Sequence, residues 1–455
     1  MVTSHEIDAI VDTVFKKTKA DELELTVLSN HNELTRYANS KIHQNVAQRD
    51  NSISLRVVFG KKVGSASTNR LNEAGVLKAL NKAESIAKHQ REDPHFKGLP
   101  EDVDRKTKNL DSYCKETAEC SPEERAKRVK DIVDYAGDEG VDRVYGSLST
   151  SVMSLFVANT NGIRRSEEIT KANLTVTTIA DWDNDQGFGW GESCNADIDK
   201  IEHRKVVELA VQKGLNNLNP KKIDPGEYTV VLEPLAVNTL FTYLSFMGFS
   251  GKSVQEQRSF MNGKFGEQLM DERVTMVDDA GYKDMMGFSF DFEGVPKKRV
   301  EMIKNGVAKD VVYDSYTAGK ENNKESTGHA LPMPNSMGPM TMNLVLEGGD
   351  SNIEEMIKET DKGILVTRFN YCRPVHPVKS ILTGLTRDGT WMIEDGEVQY
   401  PLKNLRFTQN LLDAFTDVEE IGTEQVLFGM DYYPLYTLSP SMKIPKFNFT
   451  GTTEF

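Results

Sequence analysis

A chain of 455 residues is about three times the ~150-residue size typical of one domain, which excludes a single small module and predicts more than one core. Its 38% hydrophobic and 27% charged residues are those of a folded soluble protein rather than of a disordered or membrane chain. With 55 basic against 69 acidic residues the formal net charge is -14, and that opposes direct nucleic-acid contact, which needs clustered Lys and Arg.

From the N-terminus, Ile7, Ile10, Val11, Val14 and Phe15 share one helical face instead of forming the continuous apolar run of a signal peptide. The four cysteines, Cys114, Cys120, Cys194 and Cys372, show no CxxC spacing, so neither a disulfide framework nor a zinc ribbon is expected and a reducing cytoplasm is the expected setting. Next, Ile53, Leu55, Val57 and Phe59 alternate with Ser52, Ser54 and Arg56, the pattern of a strand with one covered and one wet face. Val76, Leu80, Ala83 and Ala87 then form a helical stripe. Residues 91–119 are polar, with Pro94 and Pro100, and read as a linker or surface loop. Ser121-Pro122-Glu123-Glu124 opens another helix, with Ser at N-cap, Pro at N1 and Glu at N3.

Tyr37-Ala38-Asn39-Ser40 is echoed 120 positions later by Val157-Ala158-Asn159-Thr160. Each is followed by a polar strand, an alternating strand, a Gly-containing turn and a helix. Two copies of a ββββα-like unit, about 34–89 and 154–216, are therefore expected, forming one antiparallel sheet with helices on a face. Asn219-Pro220 through Pro225-Gly226 is rich in breakers and sets the expected boundary between an N-terminal α+β domain, 1–222, and a C-terminal domain, 223–455. Beyond it lie a short strand from Tyr228 to Leu232, an apolar helix from Leu235 to Phe249, an Asn305-Gly306 hairpin turn, a helix near Asn352 to Glu359, and turns at Asp388-Gly389 and Asp395-Gly396. This half reads as β-rich and barrel-like, and the fold class as α+β. The helix at 235–249 has only 15 residues, short of the ~20 needed to span a bilayer, so no membrane association is expected.

Candidate chemistry is sparse. No two of the eight histidines are four or five residues apart, so the helical His pair of common metallopeptidases is absent. Gly251-Lys252-Ser253 would need a glycine at Phe246 to complete a phosphate loop. The basic runs at Arg125 to Lys130 and Lys297 to Arg299 have acidic neighbours and read as solvated surface. Cys372, Arg373 and His376, stiffened by Pro374 and Pro377, offer a thiol and an imidazole but no nearby carboxylate to orient the ring. His329 sits in the small-residue run Ser326-Thr327-Gly328-His329, where a ligand can approach. These give catalytic candidates (Cys372, His376, His329) and substrate-binding candidates (Ser326, Thr327, Gly328, Arg373), with no metal ligand. Asp278-Asp279 and Asp291-Phe292-Glu293 read as turn or capping carboxylates.

In order along the chain, Tyr37-Ala38-Asn39-Ser40, Ser54-Leu55-Arg56-Val57-Val58, Gly64-Ser65-Ala66-Ser67-Thr68-Asn69, Thr275-Met276-Val277-Asp278-Asp279, Phe290-Asp291-Phe292-Glu293-Gly294-Val295-Pro296, Ser326-Thr327-Gly328 and Trp391-Met392-Ile393-Glu394-Asp395-Gly396-Glu397 resemble the TldD/PmbA family. Its members were once called modulators of DNA gyrase and are now regarded as peptidases or their partner subunits. The resemblance implies that metal-bearing relatives carry His-Glu-x-x-x-His on the helix after the first strand of the second domain, with a late cysteine helping to hold zinc. Here that helix, Leu235 to Met247, has neither His nor Glu, and Thr437 to Ser441 has no Cys. The resemblance is therefore to the PmbA or TldE-like branch. It implies peptide substrates, no zinc of its own, and a homodimer or a heterodimer with a metal-bearing TldD-like subunit. Its alternatives are an independent peptidase using Cys372, His376 or His329, and a gyrase-related regulator.

Overall fold

The computed structural model describes residues 4–102, 110–183, 185–430 and 434–453. The first half opens with α1 (Ser4–Lys17), β1 (Glu22–Ala38), β2 (Lys41–Phe59), β3 (Lys62–Thr68) and α2 (Glu73–His89). After the short α3 (Lys115–Ala118), the same order returns as α4 (Pro122–Asp138), β4 (Arg143–Asn159), β5 (Arg164–Trp182), β6 (Asp185–Asn195) and α5 (His203–Asn216). The six strands form one antiparallel sheet in the order β3-β2-β1-β4-β5-β6. The two copies meet along β1 and β4, from Glu24 opposite Asn159 to Tyr37 opposite Gly146.

Each copy has three strands, not the expected four. The polar and alternating stretches after each echoed tetrapeptide are one strand: β2 and β5 run for 19 residues each, and the tetrapeptides are the turns that enter them. Asn39 and Ser40 take positive φ there (48° and 59°). The helix patterns hold. Val76, Leu80, Ala83 and Ala87 are buried, and Ser121 closes the capping box with Glu124. Gly64 shows why α2 lies so close to β3, because a Cβ there would stand 2.3 Å from the Ala83 carbonyl oxygen.

The second half contains β7 (Gly226–Leu232), α6 (Pro234–Gly248), α7 (Gly251–Gln255), β8 (Met276–Asp278), β9 (Val300–Lys304), β10 (Val307–Ala308), α8 (Ser315–Gly319), β11 (Asn343–Leu346) and α9 (Ile353–Lys358). It ends with β12 (Lys362–His376), β13 (Ile381–Glu394), β14 (Glu397–Pro401), β15 (Leu405–Asn410), α10 (Leu411–Thr416), β16 (Glu420–Gly429) and β17 (Tyr436–Thr452). These eleven strands form one large mixed sheet, with β11 parallel to β17 and β12 parallel to β7. What reads as barrel-like is a circuit inside that sheet, since β17 pairs with both β15 and β7. α6 packs Val237, Leu240, Phe241 and Leu244, all fully buried, into the main core beside Phe407 and Phe447. Pro234 occupies its first turn, where a missing amide costs nothing. Asn305-Gly306 makes the β9–β10 turn with positive φ at both residues. Asp388-Gly389 does not end a strand. It lies inside β13, with φ of 53° and 140°, where the β12–β13 register shifts.

Three further expectations are corrected. Phe96 and Leu99, within the presumed surface loop, are buried against Val58; residues 103–109 of that loop lie outside the described residues. Arg125 is 1% exposed, because Glu33, the Cys120 carbonyl and Thr150 satisfy its guanidinium. Lys297 donates to Oδ1 of Asn343 at 2.6 Å instead of facing solvent.

Candidate functional site

Where the two halves meet, the segment 290–296 is pressed against the N-terminal sheet. Asp291 builds it: Oδ1 accepts the amides of Glu293 and Val295, both at 2.9 Å, and Oδ2 accepts that of Ala330 at 2.8 Å. Gly294 turns the chain at φ 76°, and its carbonyl accepts from Nε of Arg165. Around this turn Phe290 and Phe292 share a core with Leu155 and Val157 of β4. The sheet face that reads as wet at Arg56 is thus covered, and Arg56 is 4% exposed.

Covering that face buries charge. Arg56 donates to Oε2 of Glu24 at 2.6 Å and to Oε1 of Glu293 at 2.9 Å. Glu293 also accepts from the amide and hydroxyl of Ser315, which places α8. Asp314 caps α8, its Oδ1 accepting both the amide and the hydroxyl of Thr317. One guanidinium therefore serves several buried carboxylates. Burial pushes Glu24 up to about 7 despite the neighbouring Arg56, and burial together with the Glu293 charge raises Asp314 and Asp291.

A second buried cluster lies along β8. Nε2 of His329 stands 2.9 Å from Oδ1 of Asp278, with both side chains fully buried, although the ring is not aligned for a hydrogen bond. The other ring nitrogen, Nδ1, is 2.9 Å from the Thr327 hydroxyl. Oδ2 of Asp278 accepts the amides of Met342 and Asn343. Asp278 is held below the usual carboxylate range by His329 and Lys297, against the opposing effect of burial.

Of the residues singled out in the sequence, the structure brings together Ser326, Thr327, Gly328 and His329, but as a packed turn. Thr327 accepts from the Tyr313 amide and donates to its carbonyl. Ser326 receives the Gly328 amide. Gly328 has φ 79°, and a Cβ there would stand 2.6 Å from the Pro296 carbonyl oxygen. Cys372, Arg373 and His376 lie elsewhere, near the β12–β13 connection. Cys372 is half-buried against Phe407 and Gly384, and burial pushes its thiol up to about 12. Arg373 and His376 are exposed, and the His376 side chain has no hydrogen bond or ion pair among the described residues, its backbone lying opposite Ile381. The sequence reading missed Glu24, Arg56 and Asp314. The available signal was Arg56 itself, a long cation among Leu55, Val57 and Val58.

Two cavities flank segment 331–341, and both are lined by Leu331 and Asn335. One, of about 300 Å³, opens over Arg56, Glu293 and Asp314. The other, of about 660 Å³, runs along the C-terminal end of α6, past Ser245, Phe246 and Phe249, to Met337 and Met430. The donors near α6 do not fit the zinc site that the resemblance implies for metal-bearing relatives. Asn238 and Thr242 bond to each other, Ser245 to Thr341, and Leu240, Phe241 and Leu244 are core. Among the described residues no group of three or more His, Cys, Asp or Glu is placed to hold a metal ion. No helix among them is long and apolar enough to cross a membrane.

Comparison with known proteins bears on this arrangement. Models of the PmbA/TldA metallopeptidase domain 1, central domain and C-terminal domain match residues 23–87, 99–218 and 225–451. The chain is 24% identical over 383 residues to Metalloprotease PmbA of Escherichia coli O157:H7, covering 82% of this chain and 81% of that protein. It is 23% identical over 448 residues to a Metalloprotease TldD homolog of Buchnera aphidicola, covering 91% and 89%. In fold it matches TldE from Thermococcus kodakarensis with a TM-score of 0.87 at 23% identity, over 98% of this chain and 100% of that one. A Thermotoga maritima protein named for modulation of a DNA gyrase also matches at TM-score 0.87, with 21% identity, over 98% and 100%. On these matches, which run nearly end to end, the chain belongs to the PmbA/TldD family.

Proposed function

We propose that this chain works in peptide processing as the non-metal subunit of a dimeric peptidase, paired with a metal-bearing TldD-like subunit. The observation that carries this reading is α6. At the place where the family resemblance puts His-Glu-x-x-x-His, this helix presents leucine and phenylalanine to the core and hydroxyl or amide groups to the rest. A dehydrated apolar stripe cannot activate a metal-bound water. The adjoining groove supports a binding role: Phe246, Met337 and Met430 are at least 41% exposed and line it together with hydroxyls, a surface suited to peptide side chains.

Co-purification from the native host tests the proposal. A metal-motif relative is expected to accompany the untagged chain, and peptide cleavage is expected only when both are present. Stoichiometric zinc in the chain alone, with chelator-sensitive cleavage, would overturn it. So would turnover by the isolated chain that is lost on alanine substitution of Cys372, His376 or His329.

A further inference from the structure

The smaller cavity carries chemistry that the proposed subunit role does not use. Its floor is Arg56, Glu293 and Asp314, which are 4%, 3% and 7% exposed. Two polar atoms of these side chains are left over. Nε of Arg56 is buried without a hydrogen-bond partner among the described residues, and both side-chain bonds to Asp314 fall on Oδ1, leaving Oδ2 as an acceptor. Val63, Phe96, Leu331 and Met333 form an apolar side, Gln90, Asp93, Lys252, Tyr316 and Asn335 line the rest, and the exposed Arg91 stands at the mouth.

We propose that this cavity binds an α-amino group together with its adjoining carbonyl or carboxylate, as found in a free amino acid with an apolar side chain or at the amino end of a short peptide. The ammonium donates to Oδ2 of Asp314 and adds positive charge where buried carboxylates outnumber the single guanidinium. The neighbouring oxygen lies towards the Arg56 side of the floor. The apolar side chain lies against Phe96 and Leu331, and a free carboxylate faces Arg91 at the mouth. A volume of about 300 Å³ is at the small end of the ~300–1,000 Å³ range of ligand pockets. The site lies within one chain and its binding needs no turnover, so it stands or falls independently of the subunit role.

Calorimetric titration of the full chain with four probes tests this: leucine, leucinamide, N-acetylleucine and the dipeptide Leu-Ala. Leucine or Leu-Ala is expected to bind, and N-acetylleucine, which lacks the ammonium, is expected to bind at least tenfold more weakly. Leucine tighter than Leu-Ala assigns the site to free amino acids, and the reverse to peptide amino ends. Arg91→Met should weaken leucine while leaving leucinamide unchanged. Asp314→Asn, which keeps the α8 cap, should weaken every amine probe tenfold or more. Val63→Phe, which fills the cavity from its wall, should do the same if the first variant misfolds. N-acetylleucine binding as tightly as leucine, no heat with any amine probe, or unchanged affinity in a folded variant at position 314 or 63 would each overturn the proposal.

Discussion

Replacing Arg56 with leucine removes the one cation shared by Glu24 and Glu293 and leaves a side chain of tolerable volume. Two charge-assisted hydrogen bonds are lost and two carboxylates are left buried at 2% and 3% exposure. Breaking a buried pair in this way typically costs about 3–5 kcal/mol. The carboxylates can limit the penalty by taking up protons. From an ordinary value of 4.5, neutralising one carboxylate costs roughly 3 kcal/mol at pH 7 but under ~1 kcal/mol at pH 5. Urea denaturation followed by tryptophan fluorescence should therefore show a loss of about 3–5 kcal/mol at pH 7 that shrinks at pH 5, by less than the saving on one carboxylate because Glu24 of the parent chain, at about 7, also gains stability over that range. Adding Glu293→Gln to the variant should restore part of the loss at pH 7. A loss below ~1 kcal/mol, or one that is equal at the two pH values, would refute the account of this joint as a carboxylate-rich ion cluster.

Other outcomes follow from the same geometry. Glu24 has a folded value of about 7 against an ordinary 4.5, so its contribution is complete below 4.5 and is lost as pH rises through 7; Glu24→Gln should flatten the stability profile in that window. Gly328→Ala forces a Cβ to within 2.6 Å of the Pro296 carbonyl oxygen at φ 79° and should lower stability by ~2 kcal/mol or more in the same denaturation assay. His329→Leu removes the fully buried neighbour of Asp278 and should lower stability by about 1–3 kcal/mol, whereas an equally stable variant would show that the pair is not structural. Cys372, with its thiol pushed up to about 12, should react with iodoacetamide at pH 8 far more slowly than a free thiol, and mass spectrometry of the labelled peptide reads this directly.

Much of the architecture is written locally. The 3.6-residue stripe of Val76, Leu80, Ala83 and Ala87, the Ser121 capping box and the Asn305-Gly306 turn each depend on neighbours a few positions away, and all appear in the structure. The absence of His and Glu from the α6 sequence is likewise a fact of sequence alone, and it shapes the functional reading more than any distance does. What failed was the reading of particular residues on the second face of an element, while Ser52 on the same face is exposed as expected. Alternation marks Arg56 as wet, yet a segment more than 230 residues later in the chain covers it. Arg125 reads as surface and is buried by Glu33 from β1. Strand length also escaped, because a polar outer stretch and an apolar inner one look like two strands until the partner shows a continuous ladder.

The sequence by itself determined the α+β class, the family and the lack of His and Glu on α6, since each rests on residue identity and short-range periodicity. Only the tertiary structure decided that Arg56, Glu293 and Asp314 share one cavity floor, with Glu24 behind Arg56, and that His329 belongs with Asp278. Those groups come from segments separated by tens to hundreds of residues, and their charge states are set by burial. Burial is a property of what lies on top of a residue, and no local pattern encodes it.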